Sequence, residues 1–138
     1  WSLSEIVGDP ARQLDTAELD SLAFADAADL RPDSALQAEA CVFAGGGAAH
    51  WQLSTFAESA GWSLKTCGSY LGASVAGAIA TGVNGSALGY GAVQNQVRGL
   101  HLVTAPDRSV WIEPAHSPSL SDATALTFAD IVIREDAA

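Results

Sequence analysis

A mixed α+β domain is predicted for this chain. Stretches with helical and with strand periodicity alternate along it, its 138 residues suit one domain, and 49% of them are hydrophobic, enough to build a core. The sheet expected is a mixed one with flanking helices.

Residues 1–40 read as irregular, with turn signals at Gly8-Asp9-Pro10 and Arg31-Pro32-Asp33. Leu14 to Leu19 either opens a short helix or follows a strand end. Cys41-Val42-Phe43-Ala44 is a short apolar run ending in Gly45-Gly46-Gly47, which suits a strand meeting a tight turn. From His50 to Ala60 the spacing predicts a helix: Leu53, Phe56, Ala57 and Ala60 recur at i, i+3, i+4 and i+7, and Gly61 ends it. Ser74 to Ala80 predicts a short buried helix with Ser74 as N-cap and Gly82 after its end. Val97 to Ala105 reads as a strand with Leu100 and Leu102 on one face. Pro106-Asp107-Arg108 turns the chain, and Ser109 to Glu113 returns as the second arm of a hairpin. Ser121 to Phe128 is an expected helix and Ile131 to Ile133 a last short strand. No internal repeat is apparent.

The net charge is −10, from 16 acidic and six basic residues. That balance argues against nucleic acid and anionic membrane as partners. Nine of the acids fall in residues 1–40 beside only Arg12 and Arg31, so that region is expected to be a solvated surface. No apolar stretch is long enough for a membrane span. No leader is visible, and a cytoplasmic location is expected. Cys41 and Cys67 match no metal spacing, and buried free thiols are the expected state. The chain opens on Trp1, holds no methionine and stops at Ala137-Ala138, which suggests a fragment of a longer protein.

The most informative stretch runs from Gly68 to Gly91. It is dense in Gly, Ala, Ser and Thr and carries no charge. The wider window from Ser59 to Pro106 holds no carboxylate, where the chain's average would place about five or six. It keeps Lys65 and Arg98. A site for a phosphorylated ligand needs carboxylates kept away, and small residues let main chain approach a flat ligand. Buried core excludes carboxylates equally well, so composition leaves both readings open.

Shorter motifs carry less. Gly45-Gly46-Gly47 lacks dinucleotide spacing and reads as a strand-to-helix turn. Gly72 and Gly77 have P-loop spacing, but Ala78-Ile79 follows where Lys-Ser/Thr is needed, so a Walker A site is rejected. His50, His101 and His116 show no metal spacing and read as surface or structural. No Ser-His-Asp arrangement can be inferred, and no catalytic residue is assigned. Trp51, Trp62 and Trp111 are expected to serve core or surface packing.

Taken in order, several segments resemble one family: Gly45-Gly46-Gly47-Ala48-Ala49-His50-Trp51-Gln52-Leu53, Gly68-Ser69, Ser74 through Gly82, Asn84-Gly85-Ser86, and Gln96 through Val103. They look like the flavin-binding domain of the vanillyl-alcohol-oxidase-type FAD oxidoreductases. The sugar-alcohol and aldonolactone oxidases are the most similar members. The resemblance covers roughly residues 40–114 well and the flanks weakly. It implies the second subdomain of a PCMH-type FAD-binding fold and FAD as cofactor. It also implies a parent enzyme that oxidises an alcohol carbon by hydride transfer to flavin N5, with O2 as the common reoxidant.

On that likeness Ser69, Ser74, Gly77, Thr81, Gly82, Val83 and Asn84 match positions that line FAD, and Gly85 and Ser86 are weaker matches. Backbone amides and hydroxyls near Ser74 and Thr81 are expected to bond diphosphate and ribose oxygens, with Gly77 letting the ligand lie against main chain. The family's glycine-rich diphosphate loop, whose histidine often anchors the flavin, would precede Trp1-Ser2. After Ala138 the family continues into the rest of the flavin domain and then a cap, which would supply the site for the sugar-derived or other alcohol substrate. The family commonly has Thr-His-Gly where this chain has Val83-Asn84-Gly85, so a proton-transfer role at that position is in doubt. A binding or interaction module that keeps the fold without flavin is the alternative.

Overall fold

The computed structural model describes residues 14–136 and shows a small α+β domain with two sheets and few helices. The turn signal at Gly8 to Pro10 and the Trp1-Ser2 start lie outside the described residues.

Two short strands, β1 (Leu22–Phe24) and β2 (Val42–Ala44), pair antiparallel with Ala23 opposite Phe43. The apolar run predicts β2, whereas β1 carries no such signal, because three residues set among aspartates and alanines show too little alternation. What makes β1 a strand is its partner twenty residues on. The turn at Arg31-Pro32-Asp33 is present, closed by the Ser34 amide donating to the Arg31 carbonyl at 3.0 Å. Leu14 to Leu19 forms no helix. It contains one turn, in which the Leu19 amide bonds the Thr16 carbonyl at 2.9 Å.

After the glycine turn comes α1 (His50–Ser59), ended by Gly61 at φ +81°. Next is α2 (Val75–Ala80), capped by the Ser74 hydroxyl, which accepts from the Gly77 amide at 3.2 Å. A cap of this kind contributes about 1 kcal/mol. A 3₁₀ turn at Val93–Gln96 leads into the second sheet.

That sheet has the order β3-β4-β5 and is mixed, as expected. The strands β3 (Leu100–Ala105) and β4 (Arg108–Glu113) form the predicted hairpin, with an irregularity in register between Val103 and Ala105. The helix α3 (Asp122–Phe128) starts at the Ser121 cap and crosses to β5 (Ile131–Arg134), which runs parallel to β4 with Trp111 opposite Val132. A parallel pair needs such a crossover, and the helix fills it.

The core gathers where α3 lies on this sheet. Trp111, Leu120, Ala125 and Ala129 are buried together, with Leu30, Phe43 and Val132 packed against them. Phe128 stacks obliquely on Phe43 at 5.1 Å and on Trp111 at 6.0 Å, so one aromatic group ties the two sheets together. Gly99 has no room for a Cβ beneath the Trp111 ring. Of the three tryptophans, Trp111 packs in the core, whereas Trp51 is 55% exposed and Trp62 37%.

Candidate functional site

The glycine turn is a platform from which both small helices start. The Val75 amide donates to the Ala48 carbonyl at 2.8 Å, and the Ala76 amide to the Gly46 carbonyl at 3.1 Å. In return the His50 and Trp51 amides donate to the carbonyls of Ala73 and Leu71, at 3.0 and 2.9 Å. Ala49 and Ser74 form an isolated antiparallel bridge. Small residues are required here: a Cβ on Gly46 would stand 3.2 Å from that of Ala76, and one on Gly47 would run into the Thr16 carbonyl.

From α2 the chain passes through Thr81 and turns at Gly82 (φ +64°), a left-handed position that favours glycine. The Val83 amide donates back to the Ala78 carbonyl at 3.0 Å, and the Val83 carbonyl accepts from the Val93 amide at 2.8 Å. Asn84 then bridges to Ala92. The Gly85 amide donates to the Thr66 hydroxyl at 3.2 Å, and a Cβ on Gly85 would meet Thr66 and the Cys67 carbonyl. On Gly68 a Cβ would stand 2.5 Å from Val83. The segment Thr66 to Ser69 and the segment Val83 to Ser86 therefore lie side by side.

Ser69, Val83, Asn84, Gly85 and Ser86 are brought onto this pair of segments, and Ser74, Gly77, Thr81 and Gly82 follow the line of α2 that leads into it. Ser74 and Thr81 sit at opposite ends of α2, roughly 10 Å apart at the helical rise. Ser69, Gly77, Thr81, Asn84 and Ser86 are exposed, while Ser74, Gly82, Val83 and Gly85 are half-buried. The small-residue run is thus not core. From Ser69 to Gly91 most residues face outward, including Leu88 at 98% and Tyr90 at 55%. Of the two readings that composition left open, burial is the one that fails.

One expectation about donors changes. The first three amides of α2 are already used: Val75 on Ala48, Ala76 on Gly46 and Gly77 on the Ser74 hydroxyl. They cannot also hold a diphosphate. The Thr81 hydroxyl donates to the Gly77 carbonyl at 2.8 Å and keeps its acceptor lone pairs. Ser74 accepts a bond and keeps its proton to donate. Asn84 is exposed, and its side chain makes no hydrogen bond among the described residues.

The residues that position these loops carry little signal in the sequence. The Gln96 amide nitrogen donates to the Thr66 carbonyl at 2.8 Å, and its oxygen accepts from the Lys65 amide at 2.9 Å. Thr66 is buried and holds Gly85. Gln96 and Thr66 thus carry the shape of the site from below, and polar residues in an otherwise small-residue window were their only signal.

The histidines stay apart from the site's chemistry. His50 is buried, and its Nε2 has no hydrogen-bond partner among the described residues. Burial pushes its pKa below 6.5 and favours the neutral ring. His116 and Asp136 pair at the surface, and that bond holds the Asp136 carboxyl below its ordinary range. Among the described residues no three His, Cys, Asp or Glu side chains gather as a metal site. Cys41 and Cys67 are free and half-buried, and burial raises the Cys41 thiol pKa. No helix of the described residues is long and apolar enough to cross a membrane. The chain matches no protein-family model, no curated protein and no solved structure.

Proposed function

We propose that the surface from Ser69 to Ser86 is one wall of an FAD site, and that the chain is the second FAD-binding subdomain of a PCMH-type, flavin-dependent alcohol oxidoreductase of the sugar-alcohol or aldonolactone oxidase class. The observation that carries this reading is the exposure of the small-residue run. An uncharged surface of Gly, Ala, Ser and Thr suits a large planar ligand that must touch main chain. In this reading Gly77 and Ala76 give the ligand close approach, Ser74 and Thr81 offer one free hydroxyl function each, and Asn84 supplies a hydrogen bond but no proton. The flavin carries the redox chemistry, and acid–base groups come from outside this chain.

The occupied amides of α2 favour a second reading, a binding module that keeps the fold and holds no flavin. Amide chemical-shift mapping of the 138-residue chain with FAD separates the two. Binding is expected to be weak, because α2 lends no amide to the diphosphate. Shifts are expected at Ser69, Gly77 and Thr81 through Ser86, lost in Gly77→Val, reduced in Asn84→Ala and retained in Asn84→His. Shifts scattered elsewhere, or none at millimolar FAD, would favour the module.

A further inference from the structure

Glu113 and His50 are the largest fully enclosed side chains among the described residues. Both Glu113 oxygens have partners: one accepts from the Ser119 and Leu120 amides and the other from Arg134. The His50 ring is in the opposite state. It is 1% exposed, and its Nε2 meets no hydrogen-bond partner among the described residues. A neutral imidazole can endure this, because one of its nitrogens carries no hydrogen. In an imidazolium both nitrogens donate, so burial opposes it as a charge and again as a donor without an acceptor.

No carboxylate stands by to pair with that charge. Between Ala40 and Val97 the only charged residues are Glu58 and Lys65. Glu58 lies near the far end of α1, about 12 Å along the axis from His50. The Lys65 amide is held by Gln96, beside Thr66. Residues 71–75 and α2 bring no titratable group to the ring, and ahead of them Tyr70 lies over Gly72. Of the thiols, Cys41 precedes β2 and Cys67 follows Thr66. The segment against the glycine turn carries Asp15, Glu18 and Asp20, all exposed, and none of them bonds the ring. Burial alone lowers the His50 pKa.

The ring sits on the first residue of α1, at the seam with residues 71–76. Main-chain bonds close that seam: His50 to Ala73, Trp51 to Leu71, Val75 to Ala48 and Ala76 to Gly46. No ion pair or disulfide crosses it among the described residues. We propose that His50 is a proton-operated latch: when its ring takes up a proton, the first turn of α1 parts from residues 71–76 and the ring reaches water, while the β3–β4–β5 half stays folded. Leu71 and Gly72 belong to the exposed small-residue surface, so the opening carries part of that surface away from the glycine turn, whether or not it holds a flavin.

Amide hydrogen exchange of the whole chain at pH 7 and pH 5 tests this, with each rate divided by that of an unstructured chain at the same pH. At the His50, Trp51, Val75 and Ala76 amides protection is expected to fall at least about fivefold, because the opened ring binds a proton that the closed ring refuses. Amides paired between β3 and β4 are expected to keep their protection. His50→Leu should abolish the fall at the seam; His50→Gln takes its place if far-ultraviolet circular dichroism shows the leucine variant unfolded. Seam amides whose protection does not fall overturn the proposal. So does an equal fall in the hairpin, where the proton would act on the whole domain, and so does a fall that survives removal of the imidazole.

Discussion

The half of the molecule around β3–β4–β5 and the half around the glycine turn are held together by different means. In the first, side chains do the holding. Trp111, Leu120, Ala125 and Ala129 pack into one cluster, and beside them Glu113 is fully buried in a clamp. One Glu113 oxygen accepts from the amides of Ser119 and Leu120 at 2.8 and 3.2 Å; the other accepts from Arg134 at 2.9 Å. Arg134 also reaches Asp122 at 2.7 Å. In the second half the bonds run mostly from main chain to main chain between residues 45 and 96, with Gln96 and Thr66 adding side-chain bonds and His50, Val75 and Val93 buried among small neighbours. A half held by side chains can lose stability at single atoms. A half held by backbone is sensitive mainly where a Cβ would intrude, and its outer surface stays free to change.

The largest effect is expected at the clamp. Glu113→Ala leaves Arg134 without its buried partner and strands two amides, at a cost of about 3–5 kcal/mol. Urea unfolding measures it, and Glu113→Gln, which keeps an acceptor for the amides, should cost less. A loss under 1 kcal/mol would mean that the clamp is ornamental and the contrast between the halves is weaker than drawn.

Gly47→Ala tests the other half. The added Cβ meets the Thr16 carbonyl, which is backbone and cannot swing away, so the cost should be about 1–3 kcal/mol in the same assay. An unchanged midpoint would show that the segment at Thr16 yields freely to the turn.

The smallest effect expected belongs to His50, at the seam between α1 and the glycine turn. Its folded pKa lies below 6.5, so below that pH the unfolded chain binds more protons than the folded one. Stability from this site is therefore full above pH 6.5 and declines as pH falls through the folded value. His50→Leu should flatten the decline between pH 7 and pH 5. Asp33, Asp130 and Asp136, whose pKa values are lowered by their hydrogen bonds, lose their contributions only at more acid pH, below 3.8, and do not blur the comparison. Equal slopes for the two proteins would mean that the buried ring takes up its proton without opposing the fold.

Local chemistry was legible in the sequence. The Pro106-Asp107 turn between alternating arms gave the hairpin, the i, i+3, i+4, i+7 spacing gave α1, and Ser74 and Ser121 marked two helix starts correctly. What depended on distant partners was not legible. The strand β1 exists because Ala23 meets Phe43, and Glu113 is buried because Ser119, Leu120 and Arg134 close over it. At the candidate site the sequence singled out the small-residue run, but composition could not say whether it faced in or out. Nor could it show that Ala48 and Gly46 would occupy the amides of α2. Both follow from where the glycine turn sits against the helices.

The placement of the tryptophans gives each half of the molecule its own optical label. Trp111 is 7% exposed beneath Phe128 and emits from an apolar setting, whereas Trp51 and Trp62 stand in water on the glycine side. With Trp1 replaced by Phe, blue-shifted, quencher-resistant emission reports on the sheet half, and red-shifted, quenchable emission on the other. A single fluorescence cuvette can then follow the two halves separately through any unfolding, titration or assembly.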